Sequence, residues 1–158
     1  MTRKQIVIIG GGFGGITAAR DLRNADVVLI DRTNHHLFQP LLYQVATAAL
    51  SPTDIAWPLR TFFRSQPNVR IVMDDVVSID RIDRTVRLQH SAPIAFDALI
   101  VAPGSRHAYF GHDEWEPFAP GLKTMADAVH LRERMLFAFE EAERDRAETG
   151  TQHRLTFV

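Results

Sequence analysis

Gly10, Gly12 and Gly15 are spaced as G-x-G-x-x-G, with Gly11, Phe13 and Gly14 between them, and Asp31 lies 21 residues after Gly10. In such a pattern the first glycine lets the chain turn sharply off a strand. The second leaves room for a pyrophosphate against the backbone, and the third lets a helix lie close on a sheet. The helix start then offers free N–H groups and a partial positive charge to the phosphates. An acid at the end of the next strand accepts hydrogen bonds from a ribose 2′- and 3′-hydroxyl pair. These residues together point to a dinucleotide site. Asp31 disfavours a ribose 2′-phosphate and hence NADP, while Arg32 beside it pulls the other way. The motif by itself does not separate FAD from NAD.

The elements that must present these residues are legible around them. Residues 4–9 form a β-branched run ended by glycine, which reads as a strand buried on both faces. Residues 16–23 read as a helix with Ile16, Ala19 and Leu22 on one face, and residues 26–31 as a second strand. That succession is a βαβ unit with parallel strands and a right-handed crossover. Residues 32–50 read as a long irregular segment with one or two short helices, apolar enough to be functional. Residues 54–65 read as a helix with Pro58 in its opening turn or at a kink. A strand is expected at 69–73, a hairpin from 76–82 and 85–90 about Asp83-Arg84, and another strand at 98–102, stopped by Pro103-Gly104. Thr124 and Asp127 have capping-box spacing, so a long helix should run from there to about Arg146. Its expected apolar stripe is Met125, Val129, Leu136, Phe139 and Ala142, with Gly150 as the stop and a strand beginning near Leu155. The fold class is α/β: a Rossmann-like domain with an open parallel sheet and an inserted antiparallel β-hairpin.

The 158 residues suffice for one compact domain, and 46% hydrophobic with 23% charged residues is ordinary globular composition. A formal net charge of −1 gives no electrostatic footprint for nucleic acid. No apolar run approaches the roughly 20 residues that span a bilayer, and the N-terminal run lacks the length and cleavage site of a secretory signal. With no cysteine, disulfides, thiolate metal sites and cysteine nucleophiles are excluded within the chain. His35-His36 has no carboxylate at ligand spacing, so no metal site is expected there. Asp74-Asp75 reads as a solvated pair, and Phe38, Leu41, Leu42 and Tyr43 read as core before they read as a pocket lining. A short-chain dehydrogenase would need Tyr-x-x-x-Lys, but Thr47 follows Tyr43 and Asp113 follows Tyr109 at that spacing.

Residues 7–15 and 29–48, the latter running Leu-Ile-Asp-Arg-Thr-Asn-His-His-Leu-Phe-Gln-Pro-Leu-Leu-Tyr-Gln-Val-Ala-Thr-Ala, resemble the N-terminal part of type II NADH:quinone oxidoreductases, as do residues 109–115 and 120–124. These are single-subunit, non-proton-pumping FAD enzymes. The resemblance implies that Gly10, Gly11, Gly12, Phe13, Gly14 and Gly15 hold the FAD pyrophosphate. It implies that Asp31 and Arg32 face the adenosine ribose, that Val76 meets the adenine through its backbone, and that residues 40–47 lie on the isoalloxazine side. For His35-His36 a structural or flavin-adjacent role follows. Position 103 is Pro where the family commonly has Thr, which removes a backbone donor and a hydroxyl.

On this reading residues 1–153 are an incomplete FAD-binding domain and 154–158 the first strand of an NADH-binding domain. The chain is then a fragment of a protein more than twice as long. FAD is the cofactor, while NADH and quinone are substrates of the longer protein. The chain alone is expected to be inactive and prone to self-association through an apolar sheet edge at its C-terminus. The expected location is the cytoplasm, or the cytoplasmic face of the inner membrane for the longer protein, with membrane contact only through parts outside this chain. The missing cysteines favour direct transfer from flavin to acceptor over a disulfide relay. The alternative is a non-catalytic nucleotide-binding or structural remnant.

Overall fold

The computed structural model describes residues 3–150 and residue 155. In chain order its elements are β1 (Gln5–Ile9), α1 (Phe13–Asp21), β2 (Asp26–Asp31), β3 (His35–Leu37), α2 (Leu42–Ala46), α3 (Pro52–Ile55), β4 (Ala56–Pro58), α4 (Leu59–Phe62), β5 (Val69–Met73), β6 (Val76–Asp80), β7 (Thr85–Leu88), β8 (Ile94–Ala95), β9 (Ala98–Val101) and α5 (Met125–Thr149). They form two compact units. The first is built from residues up to Leu37 and from Ala56 to Ser105, the second from Phe38–Ile55 and from Arg106 onward.

In the first unit the β-branched runs find cover on both sides. The strands lie in the order β5-β2-β1-β9, all parallel. Successive residues of a strand face opposite ways. Ile8, Val27 and Leu29 therefore meet Ile16 and Ala19 of α1, Leu59 of α4 and Phe63 on one face. Val7, Val28 and Ile30 meet Val86, Leu88 and Ile94 on the other. Burying each such side chain contributes about 1.5–3 kcal/mol.

The cover on the second face is an antiparallel sheet β6-β7-β8, so the expected hairpin is present with a third, two-residue strand added. The expected helix at 54–65 is replaced by α3, β4 and α4. Antiparallel pairing of β4 with β3, His36 opposite Trp57, draws residues 56–58 out of the helix, and Pro58 then sits at a strand end where its missing N–H does no harm. The irregular 32–50 segment correspondingly holds β3, a 3-10 turn and α2.

Asp74 departs from its expected solvated role. It is 6% exposed, and its carboxylate accepts from the Ser91 hydroxyl at 2.7 Å and from the N–H groups of Asp75, His90 and Ser91. The Ser91 hydroxyl bond outweighs burial and, with those N–H donors, holds its pKa below the ordinary 3.8. A depressed folded-state pKa contributes stability above the unfolded value, and that stability is lost as pH falls through the folded value. Asp74→Asn is thus expected to lower the urea midpoint at neutral pH, with the gap to wild type closing below pH 3.8. A gap independent of pH would contradict this.

In the second unit α2 packs against α5, and Leu42, Val45, Ile55 and Ala128 are buried. The capping box forms: Asp127 N–H donates to the Thr124 hydroxyl, and Thr124 N–H donates to the Asp127 carboxylate at 2.8 Å. Burial pushes the Asp127 carboxyl up, but hydrogen bonds from the Lys123 and Thr124 N–H groups and the nearby His107 bring it below its ordinary value. Of the expected α5 stripe, Met125, Val129 and Ala142 are half-buried, while Leu136 and Phe139 are exposed. Ala128, Met135 and Ala138 join the covered side in their place. Likewise Leu42 is buried but Phe38 and Tyr43 are exposed, so the core reading of that cluster holds only in part. The expected strand at the C-terminus lies outside the described residues except for Leu155, as does the edge expected to drive self-association.

Candidate functional site

β1 lies between β2 and β9, so chain order reverses on either side of it. In open α/β sheets the crevice beyond the strand ends at such a point is where ligands bind. The glycine turn occupies that place. Gly10 has φ +105°, a Cβ there would run into the Ala102 carbonyl, and its N–H donates to Ile30 O at 2.8 Å. Only glycine adopts this conformation with that neighbour. Gly15 packs directly over the Gly10 carbonyl and within 3.4 Å of Ile8 Cγ2, measured from an added Cβ. Gly12, the N-cap of α1, is different: its backbone is ordinary (φ −78°, ψ −167°) and an added Cβ would meet nothing within 4 Å. The open space therefore lies directly in front of the helix start. Ile16 N–H closes the first turn onto Gly12 O at 3.0 Å, no side chain caps it, and its first turn carries no acid. That is a cradle with backbone donors and room for an anionic group.

Asp31 reaches this turn from the end of β2. Its Oδ2 accepts from Gly11 N–H at 2.5 Å, and its Oδ1 accepts from the Thr33 N–H at 2.7 Å and the Thr33 hydroxyl at 2.8 Å. A carboxylate offers about four acceptor positions, so three are already in use. Asp31 closes the turn as well as facing its mouth. The sequence expectation gave it only a ligand role. Thr33 was missed, although Asp-x-Thr at the end of a strand is the spacing of a local side-chain-to-backbone turn.

His36 was noted for its neighbour and not for what it touches. Its Nδ1 lies 3.2 Å from Gly11 O, and its ring meets Phe13 edge-on with centroids 4.9 Å apart. Arg32 is exposed beside Asp31. Val76 opens β6 opposite Leu88 and packs into the second core cluster, two residues beyond Asp74, whose N–H donates to Asp31 O at 3.0 Å. The structure thus gathers Gly10 to Gly15, Asp31, Thr33 and His36 at one strand end. Residues 40–47 belong to the second unit. Among the described residues no cluster of three or more His, Cys, Asp or Glu side chains could hold a metal ion. No helix among them is long and apolar enough to cross a membrane.

Residues 4–138 match the family described as pyridine nucleotide-disulphide oxidoreductase. The chain belongs to that family. Membership accounts for the open parallel sheet with its glycine turn, while the absence of cysteine removes from this chain the dithiol chemistry after which the family is named. Among curated proteins, the type II NADH:quinone oxidoreductases NdhA and Ndh of Mycobacterium tuberculosis are 49% and 48% identical, each over 99% of this chain. The chain spans about a third of their length, 34% and 35%. Among solved structures, NDH2 from Plasmodium falciparum in complex with RYL-552 superposes with TM-score 0.81 at 23% identity, over 89% of this chain and 30% of that one. This likeness shows the α/β fold.

Proposed function

We propose that the chain is the FAD-binding portion of a type II NADH:quinone oxidoreductase. The single observation that carries this reading is the open cradle at Gly12, framed by the two space-filling glycines Gly10 and Gly15, in a chain 49% identical to such an oxidoreductase. The residues present fit a dinucleotide. The α1 start supplies N–H donors to a pyrophosphate without a side chain in the way. Asp31 keeps one acceptor position for a ribose hydroxyl, Arg32 lies beside it, and the family resemblance assigns the Val76 backbone to the adenine. Bound flavin would supply hydride acceptance from NADH and electron delivery to a quinone. The chain's own residues orient and hold the group, and the cofactor carries the redox chemistry. Zero cysteines favour direct delivery to the acceptor. The domain extent of 1–153 and membrane attachment through other parts of a longer protein belong to this same reading.

Calorimetry of the chain with ADP, FAD and 2′-phospho-ADP tests it. ADP and FAD are expected to bind, and 2′-phospho-ADP to bind more weakly, because a carboxylate repels a 2′-phosphate at short range. Asp31→Ala removes a charged acceptor from both turn and ribose, so ADP affinity should fall about tenfold or more. No binding of ADP or FAD by the unmodified chain would refute the assignment.

A further inference from the structure

We infer that His36 is a positioning residue of the pyrophosphate cradle: it orients the Gly11–Gly12 peptide so that the Gly12 N–H faces the ligand. The inference rests on the proposed dinucleotide site. A carbonyl oxygen only accepts, so the 3.2 Å contact from His36 Nδ1 to Gly11 O requires the proton on Nδ1. No peptide bond in the described chain is cis. In a trans peptide the C=O and the following N–H point opposite ways. With Gly11 O turned toward His36, the Gly12 N–H turns away from it, on the residue beside which no atom stands within 4 Å of an added Cβ.

The other end of Gly11 is tied as well, its N–H to Asp31 Oδ2. Two side chains from two successive strands therefore fix both polar groups of one residue. Glycine is otherwise the residue freest to flip. His36 is itself held: it is paired opposite Trp57 in the β3–β4 ladder, and its ring abuts the Phe13 edge. This gives β3–β4, the pairing that displaced the expected helix, a purpose at the site. Of the two adjacent histidines, His36 is the one that makes this contact.

Three chains test it by ADP calorimetry: wild type, His36→Phe and His36→Asn. Phe keeps the ring against Phe13 and loses the donor, whereas Asn keeps a donor at the δ position and loses the ring. His36→Phe is expected to weaken ADP about fivefold, and His36→Asn to stay within about twofold of wild type. Equal binding by all three, or equal weakening by both variants, overturns the donor role. The imidazole ¹⁵N shifts of wild type provide a check that needs no variant to fold, with His36→Asn identifying the signal if it does. Nδ1-protonated His36 is expected, and a neutral ring protonated only at Nε2 overturns the inference. If wild type binds neither ADP nor FAD while Nδ1 carries the proton, the dinucleotide reading fails and the contact is merely structural.

Discussion

Gly12→Val is expected to weaken ADP and FAD binding roughly a hundredfold while leaving the protein folded. The backbone at Gly12 is one that any residue adopts, and an added Cβ meets no protein atom within 4 Å. Its cost to folding should stay within about 1 kcal/mol, the range for changing a helix N-cap. The isopropyl group would instead stand in the cradle, where a pyrophosphate must come within hydrogen-bond distance of the helix start. Forcing such a clash costs about 3 kcal/mol, or roughly a hundredfold in affinity. Calorimetry for the ligand and urea unfolding for the fold separate the two effects. Unchanged ADP affinity would place the site elsewhere.

The mirror-image result is expected three residues on. Helix propensity alone would make Gly15→Ala stabilising by about 1 kcal/mol, because alanine is the better helix former. The structure reverses the sign. An added Cβ would strike the Gly10 carbonyl, and that carbonyl cannot retreat: Gly10 is hydrogen-bonded to Ile30 O at 2.8 Å and abuts Ala102. A net loss of about 2–3 kcal/mol is expected, since backbone must shift to accommodate the methyl. For a chain of this size that is a fall of roughly 5–10 °C in the thermal midpoint. An unchanged or raised midpoint would show that α1 can slide on the sheet. One glycine of the motif thus serves the ligand and another the fold, and the two substitutions tell them apart by opposite pairs of readouts.

How much of this was open to inspection in the amino-acid order depends on the range of the interaction. β2 at 26–31 and β5 at 69–73 match their expected bounds, and the Thr124–Asp127 capping box forms as its spacing indicates. Each is written in consecutive residues: a β-branched run, or a hydroxyl three places before an acid. The unbroken apolar run from Ile6 to Ile9 likewise told that both faces of that strand would be covered, though not by what.

Tertiary contacts decided the rest. Residues 56–58 carry a helical neighbourhood, yet they extend because β3 offers them partners in residues 35–37, earlier in the chain. Asp74 looks solvated beside Asp75 until His90 and Ser91, just past the end of β7, fill its acceptor positions. On α5 the expected Met125, Val129 and Ala142 are covered, but Ala128 is buried and Leu136 exposed, because no local pattern announces where the neighbouring element ends. The amino-acid order by itself determined a glycine turn, an acid after it and the strands that flank them, since those signals repeat within a few residues. The three-dimensional arrangement alone assigned Asp31 to the N–H of Gly11 and His36 to the carbonyl of the same residue. Those bonds join groups 20 and 25 residues apart, and only a packed sheet brings such groups within hydrogen-bond reach.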